Sequence, residues 1–398
     1  MFRLPKPTGP YAVGTSILYM VDDSRTEDAS PVPGAKRELV VQLWYPAEPG
    51  QGKLAPYRRR IETTFESSYQ AVLPTNARMD APVARAATPY PVLLFNPAWT
   101  GRRTQNTFLT EELASHGYIV AAIDHTYNSE PVAFPDGRVV WAIHKPAIEE
   151  MINTTPEELE AIGMHETDKQ AADDRFVLDE LAKLSQQQGS RWYGVADTNN
   201  AGAFGHSLGG AVSVETWATD ARVHAAINMD GWQFGSQAIK TVRAAGISSG
   251  INTITYPLLF LYESLDNSFN APPSKPEPGK TSWTPFEIEN AVSAWDVPHV
   301  TQLLHHYGGQ ALVLAGSIHP TFIDKPITSP IKRLSGGSEI DARLAQVILR
   351  DYAVQFFDQA LKGKSSPLLD GVKKYPEMST LIRVNAPEQT QPGRTGKP

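Results

Sequence analysis

Gly205-His206-Ser207-Leu208-Gly209 has the pattern G-x-S-x-G and lies where a strand pattern (AGAF) meets a helical one (LGGAVSVETW). Glycines two positions before and after a serine let its hydroxyl stand exposed on a sharp strand-to-helix turn, because neighbours without a Cβ leave room around it and free the next amide. Gly210 adds room for close packing. The chemistry this pattern suits is acyl transfer through a covalent intermediate, with Ser207 as nucleophile.

A serine hydroxyl needs a base, and the base needs an orienting acid. Downstream, His224 precedes both candidate acids, and His299, His305 and His306 fall in the helical stretch HVTQLLHHYGG, where histidines are ordinarily packed or solvated. His319 differs: it follows the apolar run QALVLAG in the loop Gly316-Ser317-Ile318-His319, where a base would be delivered to the end of a sheet. Two acids compete. Asp230 follows VHAAINM and precedes Gly231-Trp232, while Asp266 follows the next strand pattern, PLLFLY. Either strand can supply the acid, so the residues alone leave both open. An oxyanion would need two backbone N–H groups, one from Leu208 and one from the loop Asn96-Pro97-Ala98-Trp99-Thr100-Gly101. Pro97 has no N–H, which leaves Ala98 or Trp99.

These residues need a scaffold, and the hydrophobic pattern supplies one. Four short apolar runs bounded by turn residues, at 91–95, 118–123, 257–262 and 310–315, read as buried parallel strands. Less hydrophobic segments at 201–204 and 223–228 continue the same rhythm. Partial alternation over 38–45 (ELVVQLWY) suits an antiparallel strand near an edge, where the sheet would begin. Helical patterns fall between strands at 107–115, 156–187, 208–219 and 338–361, the last with Ser338 and Asp341 at capping-box spacing. Strand followed by helix, repeated, is an α/β chain with a mostly parallel sheet. Glu157, Glu158 and Glu160, with the pair Asp173 and Asp174, read as a solvated helix face.

Composition narrows the function. With 398 residues, 41% hydrophobic and 20% charged, the chain can bury a large core, and neither disorder nor a fibrous repeat is expected. A net charge of −7, from 43 acidic and 36 basic residues without a long basic run, argues against a nucleic-acid partner. The absence of cysteine excludes disulfides, thiolate metal sites and a cysteine nucleophile. No HExxH, G-x-G-x-x-G or P-loop follows the expected elements, so neither a metal nor a cofactor is expected. No signal-peptide pattern and no apolar run of membrane-spanning length is found, which makes the cytoplasm the default expectation. Oligomeric state is not readable.

Taken together, TGPYAVG, ELVVQLWYP, ELASHGYIVAAIDH, GHSLGGA, AINMDGW and AGSIHPTF resemble the platelet-activating-factor acetylhydrolase family, in this order along most of the chain. The resemblance implies an α/β-hydrolase fold in a single domain, with 126–188 and 263–297 as insertions over the site. It implies hydrolysis of short-chain or phospholipid esters by Ser207, His319 and Asp230, with the amides of Trp99 and Leu208 receiving the oxyanion. Pro97 and Ala98 stand where that family usually has histidine and glycine. The segment TGRRTQNTFLTEELASHGYIVAAID is also similar to cutinases and bacterial polyester hydrolases, whose acid would fall at Asp266. A catalytically silent binding protein on the same fold, or an acyltransferase or perhydrolase using the same three residues, are further expectations to be separated by assay.

Overall fold

Side chains that alternate between the two faces of one sheet organise the chain. The computed structural model describes residues 3–65, 67–143, 155–234, 257–263, 285–329 and 339–386, apart from the side chains of 156 and 285–295. Its strands are β1 (Ala12–Thr26), β2 (Lys36–Ala47), β3 (Leu54–Pro56), β4 (Pro74–Met79), β5 (Tyr90–Asn96), β6 (Ile119–Asp124), a small hairpin β7 (Val132–Ala133) and β8 (Val139–Val140), β9 (Ala196–His206), β10 (Val223–Met229), β11 (Leu258–Glu263), β12 (Gly309–Leu314) and β13 (Met378–Val384). The helices are α1 (Thr107–Ser115), α2 (Pro156–Gln186), α3 (Leu208–Thr219), α4 (Pro285–Tyr307), α5 (Lys325–Thr328) and α6 (Ala342–Lys362).

Eleven strands form one sheet in the order β13-β12-β11-β10-β9-β5-β6-β2-β1-β4-β3. Neighbours from β6 through β12 pair in parallel, while β2 runs antiparallel to both β1 and β6. This is the mostly parallel α/β-hydrolase architecture. From β5 the chain goes one way to β6 and later returns on the other side as β9. Strand order therefore reverses between β5 and β9, and a crevice opens beyond their carboxyl ends.

Within β5, Leu93 and Phe95 face a core shared with α1 and α6, through Phe108, Leu109, Phe356 and Phe357. Val92 and Leu94 face a second core with α2, α3 and α4, through Val177, Leu181, Val214 and Leu304. Burial on both faces explains why these strands read as continuous apolar runs.

Several local expectations change. The strand over 38–45 is not at an edge: β2 lies between β1 and β6, and β3 is the edge on that side. Helix α6 starts at Ala342, capped by Asp341, whose carboxylate accepts from the amides of Arg343 and Leu344. Ser338 lies outside the described residues. Glu157 and Glu158 are exposed, but Asp173 and Asp174 are fully buried rather than solvated. Asp173 takes Arg37 and His125 as partners, and although burial opposes ionisation, Arg37 and His125 hold its carboxyl well below the usual range. Burial pushes Asp174 up to about 6, against hydrogen bonds from Thr216 and Asn96.

Asp324 ties the C-terminal part of the chain to the start of α1. Its carboxyl accepts from the amides of Thr107 (2.6 Å) and Phe108 (3.2 Å) and from the Tyr57 hydroxyl (3.0 Å), filling N–H groups that a helix start leaves unpaired. Burial outweighs these bonds and raises the Asp324 carboxyl to about 8. A group that keeps its proton in the folded chain, yet releases it near about 3.9 when unfolded, makes the folded state bind more protons in that window. Its contribution to stability is complete below the unfolded value and is lost as pH rises through the folded one. The thermal midpoint of the wild type should therefore fall between pH 6 and pH 9 more steeply than that of Asp324→Asn, which cannot titrate. Equal slopes in the two melting series would exclude a raised Asp324.

Candidate active site

Strand β9 runs directly into α3 with Ser207 at the junction, at φ 57° and ψ −129°. This is a costly backbone conformation for a residue with a Cβ, of order 1–3 kcal/mol. It is held by a bond from the Ser207 amide to the Met229 carbonyl (2.9 Å) and by the Gly210 amide donating to the Ser207 carbonyl (2.8 Å). Ser207 occupies the N-cap position of α3, yet its side chain makes no capping bond, so the hydroxyl is not spent on the helix. Gly209 is where the turn meets β5: a Cβ there would lie 2.0 Å from the Asn96 carbonyl oxygen and 2.5 Å from that of Pro97.

Asp230 ends β10 one strand away, also at positive φ, 56°. Its amide donates to the Leu261 carbonyl at 2.7 Å. Asn228 bridges the turn, accepting from the Gly231 amide and donating to the Gly231 carbonyl, both at 2.9 Å. The Asp230 carboxylate accepts from the Glu263 amide (2.9 Å) on one oxygen and from His319 Nδ1 (2.5 Å) on the other. The Asp230 side chain is 6% exposed and that of His319 47%, so the acid is sheltered while the imidazole reaches the opening. Asp266 lies outside the described residues.

The loop after β5 closes the other side. Of the two amides that sequence leaves open, that of Ala98 donates to Gln105 Oε1 at 3.2 Å. The Trp99 side chain packs with Met164 and Trp232 on a cluster of Leu159, Ala171, Leu208, Ala211, Val212 and Phe234. Helix α2 thus forms, with Trp232 and Phe234, an apolar wall beside Leu208 and the β5 loop. Beneath that loop Asn96 donates to Asp174 (2.8 Å), and His125 bridges Asn96 Oδ1 (3.0 Å) and Asp173 (2.9 Å).

His206, in the same motif as Ser207, carries no role in the sequence reading and proves to be central. It is buried, with Gln105 Nε2 at 2.8 Å from Nδ1 and the His319 carbonyl at 3.0 Å from Nε2. Burial, with His319 beside it, holds the His206 imidazole well below the ordinary histidine value. The only available signal was adjacency to the serine. His206, Asp230 and His319 also form the one grouping of metal-type ligands found among the described residues, their ligand atoms lying within 4.8 Å of one another. Both ring nitrogens of His206, both carboxylate oxygens of Asp230 and Nδ1 of His319 are engaged in hydrogen bonds to protein groups.

A sequence model of the family described as platelet-activating factor acetylhydrolase, isoform II, matches residues 1–136 and 191–367. The chain belongs to this family. It is similar to the probable 1-alkyl-2-acetylglycerophosphocholine esterase of Arthroderma benhamiae, at 24% identity over 96% of this chain and 94% of that protein. It is also similar to the platelet-activating factor acetylhydrolase of Cavia porcellus, at 25% identity over 58% of this chain and 56% of that protein. Among solved structures, a ferulic acid esterase from Streptomyces cinnamoneus superposes with a TM-score of 0.69 at 30% identity, covering 96% of this chain and 99% of that one. As an acetylhydrolase-family member the chain is an enzyme of the carboxylic-ester hydrolase class. The family match passes over 137–190, the stretch that contains all of α2.

The close fit at Gly209 makes a test of the turn. Gly209→Ala should lower the thermal midpoint by a few degrees, since about 1 kcal/mol corresponds to roughly 2–4 °C in a chain of about 150–250 residues and to less in a longer one. It should also cut the fraction of molecules that an organophosphonate labels. A variant with wild-type melting and wild-type labelling would show that the turn does not seat against β5 as described.

Proposed function

We propose that the chain hydrolyses carboxylic esters through a triad of Ser207, His319 and Asp230, within one α/β-hydrolase domain whose stretches 126–188 and 263–297 overlie the site. The hydrogen bond between His319 and Asp230, made across two loops from different strands, carries this reading. Ser207 Oγ attacks the ester carbonyl while His319 takes its proton. Asp230, fixed by the Glu263 amide, keeps Nδ1 of the imidazole protonated and stabilises the cation that forms. The amides of Leu208 and Trp99 receive the oxyanion, the Ala98 amide being engaged by Gln105. His319 returns the proton to the leaving alcohol, and water, activated by the same base, then frees the acid.

For the acyl group we infer a short chain. Trp99, Met164, Trp232 and Phe234 crowd the space beside Leu208, and the relative aligned over nearly its whole length is named for an acetyl ester. A hydroxycinnamate ester is the second reading, supported by the ferulic acid esterase that aligns over 99% of its length. The polyester-hydrolase alternative needs Asp266 as the acid, whereas His319 is already engaged by Asp230.

Ser207→Ala should lose about 10⁴-fold or more in kcat, as other serine triads do. Asp230→Asn should fold normally yet lose about 10⁴-fold, while Asp266→Asn should stay within about tenfold, or roughly 1.4 kcal/mol of barrier. If the two aspartate variants exchange behaviour, the acid is Asp266. Rates on p-nitrophenyl acetate, p-nitrophenyl octanoate and methyl ferulate decide the acyl group: acetate should be preferred, and a preference for ferulate would establish the second reading.

A further inference from the structure

We infer that Gln105 and His206 are a positioning pair that locks the oxyanion loop and the histidine loop to each other; this rests on the triad reading above. Three hydrogen bonds run in series. The Ala98 amide donates to Gln105 Oε1 at 3.2 Å. Gln105 Nε2 and His206 Nδ1 are 2.8 Å apart, and His206 Nε2 lies 3.0 Å from the carbonyl oxygen of His319.

The direction of every bond is forced. A carbonyl oxygen only accepts, so His206 carries its proton on Nε2. Nδ1 of a neutral ring must then accept, and the Gln105 amide nitrogen is the donor. The other end of the Gln105 amide is left as an acceptor, which suits the Ala98 N–H. Turning Gln105 around, or moving the proton to Nδ1, sets donor against donor or acceptor against acceptor at two of the three contacts.

The pair is enclosed, with Gln105 8% and His206 3% exposed, so water cannot readily substitute for a lost partner. Gly101 makes the approach of Gln105 possible: a Cβ at that position would stand 2.1 Å from Gln105 Oε1. On the far side, the His206 ring lies against that of His319 with centroids 4.4 Å apart and planes inclined by 40°. Two further bonds join the same loops, from the Asp324 backbone amide to the Gln105 carbonyl at 3.0 Å and from the Asn106 side chain, through Nδ2, to the Phe322 carbonyl at 2.6 Å.

The consequence for catalysis is geometric. Asp230 fixes the ring of His319 through Nδ1, but its main chain is fixed by His206. The same amide-imidazole unit holds Ala98, the residue before the proposed oxyanion donor. A shift of either loop changes the distance between the base and the oxyanion site, where displacements of about 1 Å can cost about 10²-fold in rate. A neutral His206 also spares the His319 cation, formed during the reaction, a like charge on the face that the His206 ring covers.

The test uses Gln105→Leu, His206→Phe, their double variant and His206→Gln, assayed on p-nitrophenyl acetate with kcat expressed per site labelled by an organophosphonate. Gln105→Leu and His206→Phe should each lower kcat by about 30–100-fold with KM within about threefold, the signature of misplaced groups rather than lost binding. The double variant should cost little more than the worse single one, because both break one series. His206→Gln, whose side chain can still accept from Gln105 and donate to the His319 carbonyl, should stay within about fivefold of wild type. If His206→Phe fails to fold, Gln105→Leu and His206→Gln decide. A Gln105→Leu enzyme with wild-type kcat, a rise in KM alone, or losses that multiply in the double variant would overturn the pair. Ser207→Ala keeps the two readings apart. If it remains active, the triad is wrong, whereas an inactive Ser207→Ala beside a fully active Gln105→Leu removes the pair and leaves the triad standing.

Discussion

The left-handed backbone at Ser207 is the constraint around which the carboxyl end of the sheet is built. A residue with a side chain occupies that region at a cost of order 1–3 kcal/mol, and it stays there only because its surroundings permit nothing else. β9 is gripped in parallel by β5 and β10, α3 is buried almost throughout, and Gly209 presses against the end of β5. Relaxing Ser207 would mean pulling a buried helix away from a buried strand. The strain is therefore offset by packing on both sides of the sheet, and the hydroxyl is presented at the point where strand order reverses.

Around that point, positions are set by polar contacts between loops. Asp230 is held by Leu261 and Glu263 from β11, and the turn that carries it is bridged by Asn228 through Gly231. His319 is held by Asp230 through its ring and by His206 through its carbonyl. The apolar wall near the serine has a different origin: Trp99 and Trp232 come from stretches matched by the family, but Leu159 and Met164 come from α2, in the stretch the match passes over. Residues from stretches that the family model matches thus meet, at the wall beside the serine, residues from a helix that the model passes over.

Much of this was legible in the amino-acid sequence, for physical reasons. Strands buried on both faces must be apolar throughout, so β5, β6, β11 and β12 stand out as short hydrophobic runs. A serine on a tight turn needs glycines, so Ser207 is marked by its neighbours. β1 and β13 left weaker marks because they are partly exposed and mix polar with apolar residues, and β2, expected near an edge as the start of the sheet, lies inside it because alternation reports solvent on one side, not order in a sheet. Asp173 and Asp174 were misread for a related reason: acids on a helix pattern suggest solvent until Arg37, His125, Asn96 and Thr216 arrive from elsewhere in the chain. The choice between Asp230 and Asp266 could not be made from residue types, since both follow strands. Gln105 and His206 were invisible as a pair because the four residues they join, 98, 105, 206 and 319, are brought together only by the completed sheet.

The tie from Asp324 to the start of α1 spans 217 positions, and His319 sits in the loop beside it. During synthesis Ser207 and Asp230 emerge while His319, the base of the triad proposed above, is still to be made. A ribosome adding roughly 5–20 residues per second needs several more seconds to reach the segment that docks on α1 and delivers the base. On the proposed triad, the nascent chain carries an inert serine until its last third has folded back onto its first. Esterase activity is in this sense a read-out of tertiary closure, and the cell is not exposed to a half-built hydrolase.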